Sequence, residues 1–418
     1  MFMVNSDNKS QTLKGFRDFL PEEKRKRDYV LGKIIQAFEI FGFEPLETPT
    51  LEYASVLLGK YGKEADKLVY TFKDRGNRTL GLRYDQTVPT ARVLCQYQNT
   101  LPKFFRRYQV QNVFRADKPQ RGRFREFTQC DIDIFGSSSP ITDAEIIATS
   151  YYAFKNIGFK KIRILVNDRQ ILFESLKPYT DEKVSLFSVI QTVDKADKIG
   201  QDKVIEELIA KGMDQKKAQN AWKAISQAKI SDNLTGIISY AKELGVPDDM
   251  VEFSPTLARG LDYYTGMILE IKIPGYDEGA CGGGGRYDEL IGQLGGGVAV
   301  PAVGVAFGLD RTIEAADFFR LIPQENLGTQ ILITVFDQST LVDSLKTAFS
   351  LRNKKIKTEV YPGLDKIDKQ LKYADRKKIP YVIIIGPEEV SKNVIKLKDM
   401  KTGKQSELNL RQLLDMFI

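Results

Sequence analysis

The chain has 418 residues, 42% hydrophobic and 28% charged, the profile of a soluble globular protein of roughly two to four domains with ample length for a core. Histidine is absent altogether, which excludes a Ser-His-Asp triad, an HExxH zinc site and any histidine general base. The three cysteines, Cys95, Cys130 and Cys281, lack the spacing of a disulfide framework or a metal cluster and read as thiols in a reducing, cytoplasmic setting. The net charge of +7 lies mostly in the last fifth of the chain, where residues 328–418 hold 17 basic against 11 acidic side chains.

Residues 1–11 are polar and read as a flexible tail without the apolar stretch of a signal peptide, and no run is long and apolar enough to cross a membrane. Pro21, Glu22 and Glu23 then open a helix, with Tyr29, Val30, Ile34, Ala37, Phe38 and Phe41 at helical spacing and Gly42 ending it. A short extended piece, 43–46, leads to Pro49. Segments 109–115 and 123–135 read as an antiparallel hairpin joined by a basic, turn-rich loop. In its second strand Phe127, Gln129, Asp131 and Asp133 share one face while Cys130, Ile132 and Ile134 share the other. One face is thus apolar, and the other carries a row of polar groups that a plain core strand does not need.

Residues 168–250 are helix-rich and lysine-rich and read as a helical insertion; strand signals resume at 263–273. The glycine run 279–285 has the spacing of neither a GxxxxGK[ST] phosphate loop nor a GxGxxG turn, so it is either a tight bend and close backbone approach or a ligand contact. A small apolar stretch, 301–309, leads into Asp310, Arg311 and a helix. From Gly328 strands and helices alternate as in a compact α/β domain with a mostly parallel sheet.

Four arginines, Arg115, Arg123, Arg259 and Arg311, sit at element boundaries and could together surround a triphosphate with planar, permanently charged forks. The peptide Arg115-Ala-Asp-Lys-Pro-Gln-Arg-Gly-Arg-Phe-Arg-Glu-Phe-Thr-Gln-Cys-Asp-Ile-Asp133 resembles motif 2 of the class II aminoacyl-tRNA synthetases in its histidyl form. Gly304-Val-Ala-Phe-Gly-Leu-Asp-Arg311 resembles motif 3, and the helix leading to Pro49 resembles the dimer-forming motif 1. Arg259-Gly-Leu-Asp-Tyr-Tyr264, Gly284-Gly-Arg-Tyr-Asp288, Lys14-Gly-Phe-Arg-Asp-Phe-Leu-Pro21 and Leu82-Arg-Tyr-Asp-Gln-Thr87 fit the same family, and Gln370-Leu-Lys-Tyr-Ala-Asp-Arg376 with residues 382–386 resembles a class IIa anticodon-binding domain.

The resemblance implies a multidomain α/β and α+β protein: an antiparallel-sheet catalytic core (12–167 and 251–325), a helical insertion (168–250) and an anticodon-binding domain (328–418). It implies a cytoplasmic homodimer that joins L-histidine to tRNA(His) using ATP, with Mg2+ bound mainly through the ATP phosphates. Arg115 and Arg259 are the implied catalytic residues, on opposite sides of the α-phosphate. Arg115, Arg123, Phe127 and Arg311 are implied to hold ATP, the adenine lying between Phe127 and Arg311. Asp85, Thr87 and Gln129 are implied to hold the α-amino group, Arg115 the carboxylate, and Asp133 and Tyr264 the two imidazole nitrogens, with Arg259 and Tyr263 alongside. Asp85 and Asp133 stand where many family members have glutamate. Lys118, Gln120 and Arg121 are implied to meet the acceptor stem. With no histidine in the chain, a phosphate oxygen of the adenylate, or the ribose, is left to take the proton in transfer to tRNA. The alternative is a regulatory paralogue, the subunit of ATP phosphoribosyltransferase, which shares the catalytic fold but usually lacks the tRNA-binding domain and has eroded the motif 2 and Arg259 positions kept here.

Overall fold

The computed structural model describes residues 11–58, 66–119, 124–259, 263–295, 299–323 and 328–417, with the side chains of 294 and 295 left aside. It forms two compact units, Met1–Leu20 with Arg27–Ile322, and Pro21–Lys26 with Pro323–Ile418. Nearly all of the expected tail lies outside the described residues. The Pro21–Ile40 helix begins as its sequence requires, with proline in the first turn followed by Glu22 and Glu23, and it buries Val30, Ile34, Ala37 and Phe38.

In chain order, the strands of the first unit are β1 (Glu44–Pro45), β2 (Leu51–Tyr53), β3 (Thr71–Lys73), β4 (Thr79–Leu82), β5 (Phe105–Phe114), β6 (Glu126–Phe135), β7 (Arg163–Asp168), β8 (Val251–Phe253), β9 (Met267–Lys272), β10 (Gly282–Arg286) and β11 (Ala302–Gly308). β2, β4 and β3 form a small antiparallel sheet. The others form an eight-stranded sheet in the order β1-β5-β6-β11-β10-β9-β7-β8, antiparallel from β5 to β7.

Four sequence expectations are corrected. The first strand of the hairpin starts at Phe105 rather than 109, and the second begins at Glu126 rather than 123. The strand expected from 263 begins at Met267, because Tyr263 and Tyr264 belong to the approach to the sheet. The glycine run is no simple bend: Gly282–Arg286 is a buried central strand, hydrogen-bonded to β9 and β11.

The two faces of this sheet differ as the hairpin parity dictates. Cys130, Ile132 and Ile134 of β6 and Phe307 of β11 are buried. Phe307 packs 5.3 Å from Phe38 and 5.8 Å from Phe154, so the Pro21–Ile40 and Pro140–Ile157 helices cover the apolar back. On the front, Phe105 and Phe135 join a core that also contains Leu172, Val189, Ile190, Leu208 and Ile225 from residues 169–250. That segment is helical throughout its described elements and shares this core rather than enclosing a separate one.

The second unit is built on β12 (Ile331–Ile333), β13 (Thr358–Val360), β14 (Tyr381–Ile384), β15 (Ile395–Asp399) and β16 (Gln405–Leu408), in the order β13-β12-β14-β15-β16. β12 runs parallel to β13 and β14, but β14–β15 and β15–β16 are antiparallel, so the expected mostly parallel sheet is a mixed one. Two elements were not expected. β16 is polar and exposed along Gln405, Ser406 and Glu407 and has no alternating pattern, and the Pro387–Lys392 helix is too short to show a period.

The peptide Gly284–Asp288 earns its residues partly through structure. The Arg286 guanidinium is buried against Asp143 at the start of the Pro140–Ile157 helix, and also donates to the Ser137 carbonyl at 3.0 Å, Thr142 Oγ1 at 2.9 Å and Asp288 at 3.1 Å. Arg286→Ala strands a buried carboxylate, and chemical denaturation is expected to read a loss of about 3–5 kcal/mol; a loss below about 1 kcal/mol would mean that Asp143 is rescued by another partner.

Candidate active site

Residues directly opposite one another in antiparallel strands point to the same face, so the registers list what lines the front of the sheet. One row runs Arg107, Asp133, Gly304, Gly285 and Ile268. The next runs Gln109, Asp131, Ala306, Gly283 and Glu270. A third runs Gln111, Gln129 and Gly308, and a fourth pairs Val113 with Phe127. The middle of the sheet is therefore a floor of glycine and alanine, with the polar side chains of β6 along one border and Glu270 on the other.

Two functional groups lie on that floor. A Cβ at Gly283 would collide with the Arg259 guanidinium, and one at Gly304 would collide with the Asp133 carboxylate. Both glycines are absences that other side chains use. Arg259 reaches the floor from the segment before β9 and pairs with Glu270 at 3.6 Å, while its own carbonyl accepts from Arg169 at 3.4 Å. Asp194, from the helical segment, feels Arg259 and Glu270, and burial pushes its carboxyl up to about 6.

Asp133 is held from two sides. Arg107, fully buried on β5, pairs with it at 2.6 Å, and the Tyr287 hydroxyl donates to its other oxygen. Burial raises the Asp133 carboxyl, while Arg107 and Tyr287 oppose that rise. Tyr287 itself is pushed well above the phenol range, first by burial and then by the Asp133 charge. Tyr263 packs 4.7 Å from Tyr264 and 5.7 Å from Tyr287 and lies within electrostatic reach of Asp85 and Arg259. Tyr264 is buried beside it.

Asp85 and Thr87 approach from the start of the Thr87–Gln96 helix, where Asp85 accepts from the Val88 amide at 3.1 Å. Between them Gln86 is fully buried and donates to the carbonyls of Gln111 and Gln129, both at 3.0 Å, which fixes this segment against the third row. Arg115, one residue past β5, lies over the rings of Tyr84 at 4.4 Å and Phe127 at 5.1 Å and donates to the Tyr84 carbonyl at 3.2 Å. Arg311 stands at the same end of the sheet as Phe127, in the first turn of the Leu309–Phe318 helix, and donates to the Ala280 carbonyl at 3.0 Å.

The structure thus brings Asp85, Arg115, Phe127, Gln129, Asp133, Arg259, Tyr263 and Tyr264 together at the front of one sheet, with Thr87 two residues after Asp85 and Arg311 at the sheet end that carries Phe127. Lys118 is exposed on the hairpin connection. Gln120, Arg121 and Arg123 lie outside the described residues. Sequence reasoning missed Arg107 and Tyr287. Arg107 has the parity of Gln109, and Tyr287 sits inside a peptide already singled out, but only the register shows that they meet at Asp133. All three cysteines are free.

The comparisons with known proteins follow this geometry. The histidyl-tRNA synthetase family profile matches residues 15–312, and an anticodon-binding domain profile matches residues 330–418. The chain belongs to the histidyl-tRNA synthetase family. The histidine–tRNA ligase of Wolinella succinogenes is 38% identical over 94% of this chain and 95% of its own, and that of Cytophaga hutchinsonii is 36% identical over 97% and 98%. A crystal structure of histidyl-tRNA synthetase from Nostoc superposes with a TM-score of 0.85 at 29% identity, covering 98% of this chain and all of that one. The expected class II core with a C-terminal anticodon-binding domain is borne out.

Within that family the floor becomes testable. Gly283→Ala places a methyl where the end of Arg259 lies, and a flexible side chain can move aside cheaply. Stability is expected to change by less than about 1 kcal/mol, while the rate of amino-acid activation, read by pyrophosphate exchange, falls by about 10-fold or more. An undiminished rate would show that Arg259 does not need that position.

Proposed function

We propose that the chain is a histidine–tRNA ligase: it activates L-histidine with ATP to histidyl-adenylate and transfers the histidyl group to tRNA(His). The observation that carries this reading is the cleared floor itself, with a guanidinium lying across it at Gly283 and a carboxylate at Gly304. A strip with no side chains of its own lets these two groups and a flat substrate lie close to the backbone, and the groups at its borders match the substrate end by end.

In this reading Asp133 and Tyr264 take the two imidazole nitrogens, one able to accept and the other to donate, with Tyr263 packed behind. Arg107 and Tyr287 position the Asp133 carboxylate, a short side chain where many family members carry glutamate. Asp85, Thr87 and Gln129 receive the α-ammonium group. Arg115 meets the substrate carboxylate and the α-phosphate from one side and Arg259 from the other, so negative charge building at phosphorus is met by two fixed cations. Phe127 and Arg311 sandwich the adenine, and Arg123 takes the outer phosphates. Mg2+ arrives with the nucleotide, held mainly through the phosphate oxygens, where it would neutralise their charge.

Transfer to tRNA has no protein histidine to call on, so a non-bridging phosphate oxygen of the adenylate, or the ribose, accepts the proton of the attacking hydroxyl. Lys118, Gln120 and Arg121 meet the acceptor stem, and the basic C-terminal unit meets the anticodon. That C-terminal unit, matched by the anticodon-binding profile, favours the ligase over the regulatory paralogue. The protein works in the cytoplasm, where free thiols persist, and as a homodimer; Leu51, Tyr53 and Phe72 are exposed on the small sheet and offer apolar surface for a second copy to cover.

Pyrophosphate exchange that depends on added histidine is the expected activity, and silence from folded protein would remove the reading. Arg259→Ala is expected to slow activation by about 10²- to 10³-fold while histidine affinity changes far less, because its charge acts chiefly on the transition state. An equal loss in binding and rate would assign Arg259 to ground-state binding instead.

A further inference from the structure

Polar groups buried without partners are rare in folded proteins, and each calls for an explanation. The front of β6 holds three: among the described residues Gln129 Oε1, Asp131 Oδ1 and Asp133 Oδ2 are buried and make no hydrogen bond, and of these Asp133 Oδ2 is ion-paired with Arg107 at 2.6 Å. They are spaced two positions apart and point to the same face, on rows that cross the glycine floor. Gln129 and Asp133 already have roles in the reading above. Asp131 has none, although only 4% of it is exposed and it stands between Gln129 and Asp133.

We infer that Asp131 is a further substrate-binding residue, whose carboxylate accepts a hydrogen bond from the α-ammonium group of histidine. The inference rests on the ligase reading and deepens it at one subsite. Three observations choose the ammonium rather than the ring. Asp133 is already gripped by Arg107 and Tyr287, which fixes the imidazole end of the row. Asp131 lies one row nearer Gln129. It also feels the charges of both Arg115 and Asp85, whereas the influences on Asp133 include Asp85 but not Arg115. It therefore sits toward the end where the carboxylate and ammonium of an amino acid meet Arg115 and Asp85.

The charged surroundings of Asp131 are Arg107 and Arg115 from β5 and its end, Asp133 from its own strand, and Asp85 from the start of the Thr87–Gln96 helix; β11 offers it only Ala306. Burial, with Asp133 and Asp85, pushes the carboxyl up to about 8, against Arg107 and Arg115. Asp131 is thus largely a neutral acid at pH 7 before histidine binds, which avoids a third unbalanced carboxylate. When the ammonium arrives, the Asp131 O–H bond breaks, its proton passes to solvent buffer, and the carboxylate left behind accepts from the ammonium N–H. Binding is thereby linked to release of one proton, and affinity for histidine rises from pH 6 toward pH 8.

Calorimetric titration of histidine into the full-length chain at pH 7, in two buffers of different ionisation enthalpy, counts that proton without any substitution. The expected count is close to one released per histidine bound. Asp131→Asn is expected to release none and to bind histidine about 10- to 100-fold more weakly. It should bind 3-(4-imidazolyl)propionate, which lacks the amino group, as the unaltered protein does. Equal weakening toward both ligands, or unchanged histidine affinity with the same proton count, would overturn the assignment while leaving the ligase reading intact. If the unaltered protein bound no histidine at all, the ligase reading itself would fall.

Discussion

The front of the central sheet works because of what is missing from it. Gly283, Gly304 and Ala306 stand where an ordinary β-sheet carries branched side chains, and this clears a strip of backbone next to one row of polar groups. Arg259 and Asp133 occupy the cleared space and would be displaced by a single added methyl. The cost of glycine in a strand, both in chain entropy and in lost packing, is accepted at the centre of the sheet. The back face compensates with an aromatic cluster of Phe38, Phe43, Tyr108, Phe154 and Phe307, and with two long helices packed across it.

The second constraint is charge. Asp85, Asp131 and Asp133 all lie buried near one another, and three ionised carboxylates in so little water would repel strongly. Arg107 answers one of them at 2.6 Å, and it is itself wholly buried, so each half of the pair depends on the other. At Asp131 burial, with the charges of Asp133 and Asp85, pushes the carboxyl up to about 8. In the proposed reading the carboxylate and ammonium of the amino acid complete the balance between the arginines and these acids. An ordered set of charges of this kind acts on a reacting phosphate without rearranging during the reaction. In the proposed reading the same side chains serve binding and rate.

Part of this was legible in the chain, and the physical reasons for the rest are specific. The alternation from Phe127 to Asp133 announced a strand with one polar face, because period-two patterning survives tertiary context well. The helix at Pro21, with its acids and its apolar spacing, was equally plain. Gly282–Arg286 was not recognised as a strand, because glycine marks loops wherever a floor for other side chains is not in view. Tyr263 and Tyr264 favour β-structure by type, yet they turn into the site before β9 begins. Arg107 and Tyr287 lie far from Asp133 in sequence, and only the pairing of β5 with β6 and the close approach of β10 bring the three together. β16 escaped because an exposed polar edge strand carries no periodic signal.

A crystal structure of the protein with histidine and ATP bound tests the cleared floor most directly. The substrate is expected over Gly283, Ala306 and Gly304, with its ring between Asp133 and Tyr264 and its α-phosphate between Arg115 and Arg259. Substrate seated away from these glycines, with the Arg259 and Asp133 side chains still lying alone across them, would contradict the role given to the glycine strand.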